Sequence, residues 1–270
     1  MKPARFDYAV PGGLDEAVAL LAETPGAKVL AGGQTLGPML NLRLVQPALL
    51  VDITRNPELV AVKEDGDWIS YGACVTHAAI EDGRVPDHTA GVLPQVAQGI
   101  AYRAVRTRGT IGGSLAHADP AADWLSALTA LGAEVTAYDG KGERRIPVSG
   151  LMTGVFETAL GSEEILTGVH VPRLSGEARF GYYKICRKTG EFAEAIGAVL
   201  RDPGRGIFRG VVGATEAAPI LLDDLAGLAE KGALDPGALR DALRAGGLTE
   251  AYELQLHAVA LERAAAEVLA

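Results

Sequence analysis

Two stretches decide how this chain is read. They are Lys28-Val29-Leu30-Ala31-Gly32-Gly33-Gln34-Thr35-Leu36 and Thr110-Ile111-Gly112-Gly113-Ser114-Leu115-Ala116-His117-Ala118-Asp119-Pro120-Ala121-Ala122-Asp123. In the first, a short β-type run leads into a glycine pair, and a short helix over about 35–42 is expected after it. In the second, a glycine pair precedes a helix expected over 121–131. Paired glycines between elements permit close backbone approach. Successive amides there can form a concave set of donors for an anion. Two such loops could hold the two phosphates of a dinucleotide, with the hydroxyls of Thr35, Thr110 and Ser114 as further donors. An ordinary tight turn is the plainer reading of either pair alone. Neither loop fits the Rossmann G-x-G-x-x-G or the P-loop pattern.

Outward from the first loop, the spacing of Leu14, Val18, Leu20 and Leu21 predicts a helix. The run Leu49–Ile53 predicts a buried strand, making residues 1–55 an α/β unit. Further strands are expected over 68–75, 134–138 and 165–171, with an edge strand within 56–64. Helices are expected after Thr76 as N-cap and over 93–101. The polar break at 172–177 marks a boundary. Beyond it, strands over 180–187, 193–201 and 207–214 precede helices over 221–231, 237–245 and 250–269. Strands followed by helices indicate an α+β arrangement.

Composition narrows the function. The chain has 270 residues, 48% of them hydrophobic, and 25 Lys and Arg against 34 Asp and Glu. The net charge of −9 argues against nucleic acid as a general partner. No run reaches the ~18 apolar residues of a membrane span, and no leader is evident at the N-terminus, so a cytoplasmic location is expected. Cys74 and Cys186 are too few for a cluster or structural zinc site held by this chain alone. His117, Asp119 and Asp123 could be metal ligands, but Asp119 as a helix cap is the simpler reading. No G-x-S-x-G elbow or local triad is present. Lys184 could be a snorkelling surface lysine and Phe192 a core aromatic.

Together, the two loops resemble those of the flavin-binding medium subunit of molybdenum hydroxylases, the carbon monoxide dehydrogenase and xanthine dehydrogenase flavoprotein family. The likeness continues through Glu164-Ile165-Leu166-Thr167 and from Tyr183 to Ala193. It implies a PCMH-type FAD-binding domain of two α/β subdomains, residues 1–55 and 56–172. A C-terminal domain of a three-stranded sheet and a helical bundle, residues 176–270, would follow. It implies non-covalent FAD bound by Lys28, Val29, Ala31, Gly32, Gly33, Gln34, Thr35 and Leu36, and by Thr110, Ile111, Gly112, Gly113, Ser114, His117 and Asp119. Asp123 would contact the ribose or adenosine side, Ile100 would face the cofactor, and Leu166 would lie at the adenine end. Lys184 would lie near the flavin. Phe192 stands where some relatives place a tyrosine against the isoalloxazine, and Ser114 where Asn or Asp is common. No four-cysteine insertion is present.

The resemblance also implies partners: a large subunit with the molybdenum cofactor and a small subunit with two [2Fe–2S] clusters. The chain would pass electrons from those clusters through FAD to a quinone or NAD, with no catalytic residue of its own. Two alternatives stay open: a free-standing FAD oxidoreductase of the same fold, in which His117 would be the candidate for covalent attachment, and an assembly protein that has lost its flavin.

Overall fold

The computed structural model describes residues 1–230 and 232–270. The chain begins with β1 (Asp7–Ala9), α1 (Leu14–Glu23), β2 (Lys28–Leu30), α2 (Leu36–Asn41) and β3 (Leu49–Asp52). The three strands form a parallel sheet in the order β1-β3-β2. Every residue of β3 is buried, as its unbroken apolar run and central position require. β1 was not foreseen. Its three residues are half-buried or exposed and carry no alternation to betray them.

A second sheet follows. It contains β4 (Val62–Asp65), β5 (Trp68–Gly72), β6 (Glu134–Tyr138), β7 (Glu143–Pro147) and β10 (Ile165–Pro172), in the order β4-β5-β10-β6-β7. All its pairings are antiparallel. A small hairpin of β8 (Met152–Gly154) and β9 (Glu157–Thr158) precedes β10. Central β10 is buried along its full length. Its His170 is flanked by the hydroxyls of Ser70 and Thr136, each at 2.6 Å, and burial pushes its pKa down to about 4.

Between β5 and β6 run α3 (His77–Glu81), α4 (Val92–Gln98), α5 (Arg103–Arg106), α6 (Ile111–His117) and α7 (Asp123–Leu131). Thr76 caps α3 as expected, its hydroxyl accepting from the Ala79 amide at 3.1 Å. Two expectations change here. The second glycine pair is the first turn of α6 rather than a turn outside a helix. The following helix begins at Asp123, not at Ala121, because Asp119 accepts from the Ala121 amide at 2.9 Å in a turn of its own ahead of the helix. One hydrophobic core joins α1, the first two sheets, α4, α6 and α7.

The third sheet takes the order β11-β12-β13-β14, from β11 (Arg179–Ile185), β12 (Ala195–Asp202), β13 (Ile207–Gly213) and β14 (Ile220–Leu222). It is antiparallel throughout. Then come β15 (Ala229–Glu230), β16 (Ala233–Leu234), α8 (Pro236–Ala245) and α9 (Ala251–Leu269). The sheet has four strands where three were expected. The helix expected over 221–231 is instead β14, a short 3-10 turn at Ala226–Leu228 and β15; Lys231 lies outside the described residues. Leucines at 221, 222, 225 and 228 mimic helical spacing, but pairing with the free edge of β13 prevails. The helical part is accordingly the pair α8 and α9.

Helix α9 lies directly on β11 and β12, and α7 contacts β12 and β13. At Gly197 a β-carbon would stand 2.3 Å from the Ala260 carbonyl oxygen, so α9 meets β12 backbone to backbone. Gly197→Ala is expected to lower unfolding stability by about 1–3 kcal/mol, the cost of overpacking a close contact. A reduced urea midpoint with an unchanged slope would check it; an unchanged midpoint would contradict the contact.

Candidate functional site

The two glycine loops meet. A β-carbon on Gly32 would stand 2.1 Å from the Arg108 carbonyl oxygen and 2.8 Å from Gly109 Cα. Ala31 lies on the other side of the contact, its β-carbon 3.5 Å from where one on Gly113 would stand. The second loop is in turn seated on the end of β5: a β-carbon on Gly112 would lie 2.5 Å from Ala73 Cβ and 2.7 Å from its carbonyl oxygen. Bulk at Gly32 or Gly112 would separate these segments before it could touch any ligand.

The loops differ in their amides. In the first, those of Gly32, Gly33, Gln34 and Thr35 find no acceptor among the described residues. Gly33 adopts φ 70°, and the Gln34 side-chain amide donates to the Gly32 carbonyl at 3.2 Å. Thr35 is exposed and makes no capping bond. In the second loop the amides from Ile111 to Ser114 are engaged, while that of Thr110 finds no acceptor among the described residues. Ile111 donates to Val75 O and Gly112 to Ala73 O, each at 3.0 Å; Ser114 donates to Thr110 O at 3.0 Å. The Gly113 amide donates to Thr110 Oγ1 at 3.1 Å. The expectation of two matching amide cradles is thus corrected: the second loop offers hydroxyls. Thr110 Oγ1 accepts from Gly113 and keeps its own proton to donate.

A second cluster lies where α7, β11 and the end of α4 converge. Asp123, the first residue of α7, is buried. Lys184 Nζ sits 3.0 Å from its Oδ2 and 3.1 Å from its Oδ1, and also donates to Gly99 O at 3.4 Å. Tyr182 donates to Asp123 Oδ1 at 2.8 Å. Burial pushes the Asp123 carboxyl up, against the pull of Lys184 and Tyr182. Burial and the neighbouring carboxylate push the Tyr182 hydroxyl well up. Two residues expected to touch cofactor separately therefore hold each other. Tyr182 was missed, though strand alternation places it on the same face as Lys184.

The other expected residues are spread around this centre. Ile100 is half-buried beside Gly99. Val29 and Leu36 are half-buried and Lys28 exposed. Leu166 is only 5% exposed, within the main core. His117 stacks on Phe156 with ring centroids 4.9 Å apart, and burial lowers its pKa. Phe192 is 73% exposed, on the loop after β11. His117, Asp119 and Asp123 have separate partners, and no group of three metal-ligating side chains is assembled among the described residues.

Behind the second loop, Trp124 Nε1 donates to His77 Nδ1 at 3.0 Å. Burial and nearby Arg106 lower the His77 pKa to about 4. Sequence reading gave no role to this pair.

Because Asp123 and Lys184 form a buried pair, removing one partner strands the other. Asp123→Asn and Lys184→Met are each expected to cost about 3–5 kcal/mol, and the double variant clearly less than their sum. Urea unfolding of the four proteins checks this; simple additivity would contradict it.

Residues 4–174 match the model of the FAD binding domain in molybdopterin dehydrogenase. The chain is 35% identical to the carbon monoxide dehydrogenase medium chain of Hydrogenophaga pseudoflava over 82% of its own length and 78% of that protein's. It is 32% identical to the nicotine 6-hydroxylase medium subunit of Paenarthrobacter nicotinovorans, covering 95% of this chain and 91% of that one. A solved structure of the carbon monoxide dehydrogenase from Hydrogenophaga pseudoflava superposes with a TM-score of 0.90 at 30% identity, over 99% of this chain and 98% of the other. With a matching domain model, medium-chain relatives and a shared fold, the chain belongs to the FAD-binding medium-subunit family of the molybdenum hydroxylases.

Proposed function

We propose that this chain carries electrons within a molybdenum hydroxylase complex. A large molybdopterin-binding subunit oxidises the substrate, and a small subunit passes electrons through [2Fe–2S] clusters to this chain. From its FAD they leave to an external acceptor, a quinone or NAD, in the cytoplasm. The observation that carries the reading is the row of four unpaired amides from Gly32 to Thr35, held against the second loop. At a net charge of −9, the chain needs such a local set of donors to hold a diphosphate. The names of the similar proteins support the assembly: they are a medium chain and a medium subunit.

In this reading Gly32–Thr35 bind the diphosphate through their amides, and Thr35, Thr110 and Ser114 add hydroxyl donors. Ile100 offers an apolar face to the flavin. Lys184, held in place by Asp123 and Tyr182, sets a positive charge nearby. FAD, when bound, supplies the exchange between one-electron donors and a two-electron acceptor; the chain's own residues bind and orient. Residues 1–55 and 56–172 act as the two halves of the flavin module, with 176–270 as the C-terminal domain.

The purified chain, mixed with FAD and desalted, is expected to keep flavin absorption bands, and acid precipitation to release all the flavin to the supernatant. Flavin left in the pellet would show a covalent bond, and no retained flavin would contradict binding by this chain.

A further inference from the structure

The basic run at 103–108 has no place in the reading so far. Two of its three arginines, Arg103 and Arg106, are already engaged with carboxylates. Arg106 Nε and Nη2 grip the two carboxylate oxygens of Glu81 at 2.8 and 2.9 Å. Its remaining nitrogen, Nη1, donates to the carbonyls of Ile100 and Ala101 at 2.9 and 3.1 Å. Arg103 braces the same carboxylate from outside, donating to Glu81 Oε2 at 2.7 Å. Both members of the inner pair are largely buried, with side chains 11% and 15% exposed. The Arg103 and Arg106 bonds hold the Glu81 carboxyl below its usual range.

The two carbonyls belong to the turn that ends α4, where Ala101 takes a left-handed conformation at φ 43°. A non-glycine residue holds that conformation only when its surroundings enforce it. The other end of the brace leads to the glycine loops. Glu81 closes α3, and the His77 amide at the start of α3 donates to Gly109 O at 2.9 Å. Thr76 pairs with Thr110 in an isolated bridge. A continuous path therefore runs from the second loop through α3, Glu81 and Arg106 to the turn carrying Ile100.

We infer that Arg106, braced by Glu81, is a positioning residue that fixes the Ile100–Ala101 turn relative to the diphosphate-binding loops, and so controls how firmly the isoalloxazine end of FAD is held. This rests on the flavin reading above. It assigns Arg103 and Arg106 a role in geometry rather than in binding a ligand's negative charge. Lysine cannot replace the planar fork that serves a carboxylate and two carbonyls at once.

The test compares FAD with ADP, which shares the diphosphate and adenosine but lacks the flavin ring. Affinities of the full chain for each are measured by titration calorimetry for wild type, Arg106→Lys and Glu81→Gln. Both variants are expected to weaken FAD by roughly tenfold, the scale of one charge-assisted hydrogen bond, and to leave ADP within about twofold by the same measure. The bound flavin spectrum should shift with the loss of FAD affinity. Glu81→Gln keeps the side-chain shape and carries the test if Arg106→Lys does not fold. Equal losses of FAD and ADP, or no loss of either, would overturn the inference while leaving the flavin reading intact. A wild-type chain that binds neither ligand would overturn the flavin reading itself, before any variant is made.

Discussion

Where Gly32 meets Arg108 and Gly109, and where Gly112 meets Ala73, backbone touches backbone with no room for a side chain. These contacts lock three segments of the chain: the turn after β2, the approach to α6 and the end of β5. Their consequence is chemical. The second loop turns its amides inward, to Ala73, Val75 and Thr110, and becomes a firm wall. The first loop, held against that wall, keeps the amides from Gly32 to Thr35 without partners among the described residues. An amide left unpaired costs free energy unless water or a ligand satisfies it. A row of four is a site that a dianion can complete. The asymmetry between two loops of similar sequence thus follows from which one is seated on the core.

The buried pair of Asp123 and Lys184 performs a different task. Asp123 opens α7, which belongs to the main core, while Lys184 and Tyr182 come from β11 in the third sheet. Each charge is expensive to bury alone. Together they fix β11 against the end of α4, since Lys184 also reaches Gly99 O. Asp123, Tyr182 and Lys184 are therefore positioned by contacts between parts of the chain far apart in sequence.

Much of this was legible from sequence, for reasons that can be named. A continuous apolar run revealed β3, the strand over 165–171 lay within β10, and the strand over 134–138 was read to the residue. Thr76 announced itself as a cap by chemistry alone. The glycine pairs marked places of close backbone approach, which leaves few other choices of residue. What escaped depends on distant partners. The leucines of 220–228 have helical spacing, and only the free edge of β13 makes Ile220–Leu222 a strand. Nothing local shows that the amides of Ile111–Ser114 are engaged, since their acceptors include Ala73 and Val75. Tyr182 and Arg106 gain meaning only once Asp123 and Glu81 stand beside them. Phe192, which the resemblance sets where some relatives carry a tyrosine, is exposed on its loop.

The central claim is that FAD completes the amides of Gly32–Thr35, whereas those of Ile111–Ser114 already have acceptors. Amide hydrogen exchange, resolved by residue with and without FAD, tests it directly. Gly32, Gly33, Gln34 and Thr35 should exchange fast in the free chain and become strongly protected on binding, whereas Ile111–Ser114 should be protected in both states. Protection that appears at the second loop and not at the first, or at neither, would contradict the account.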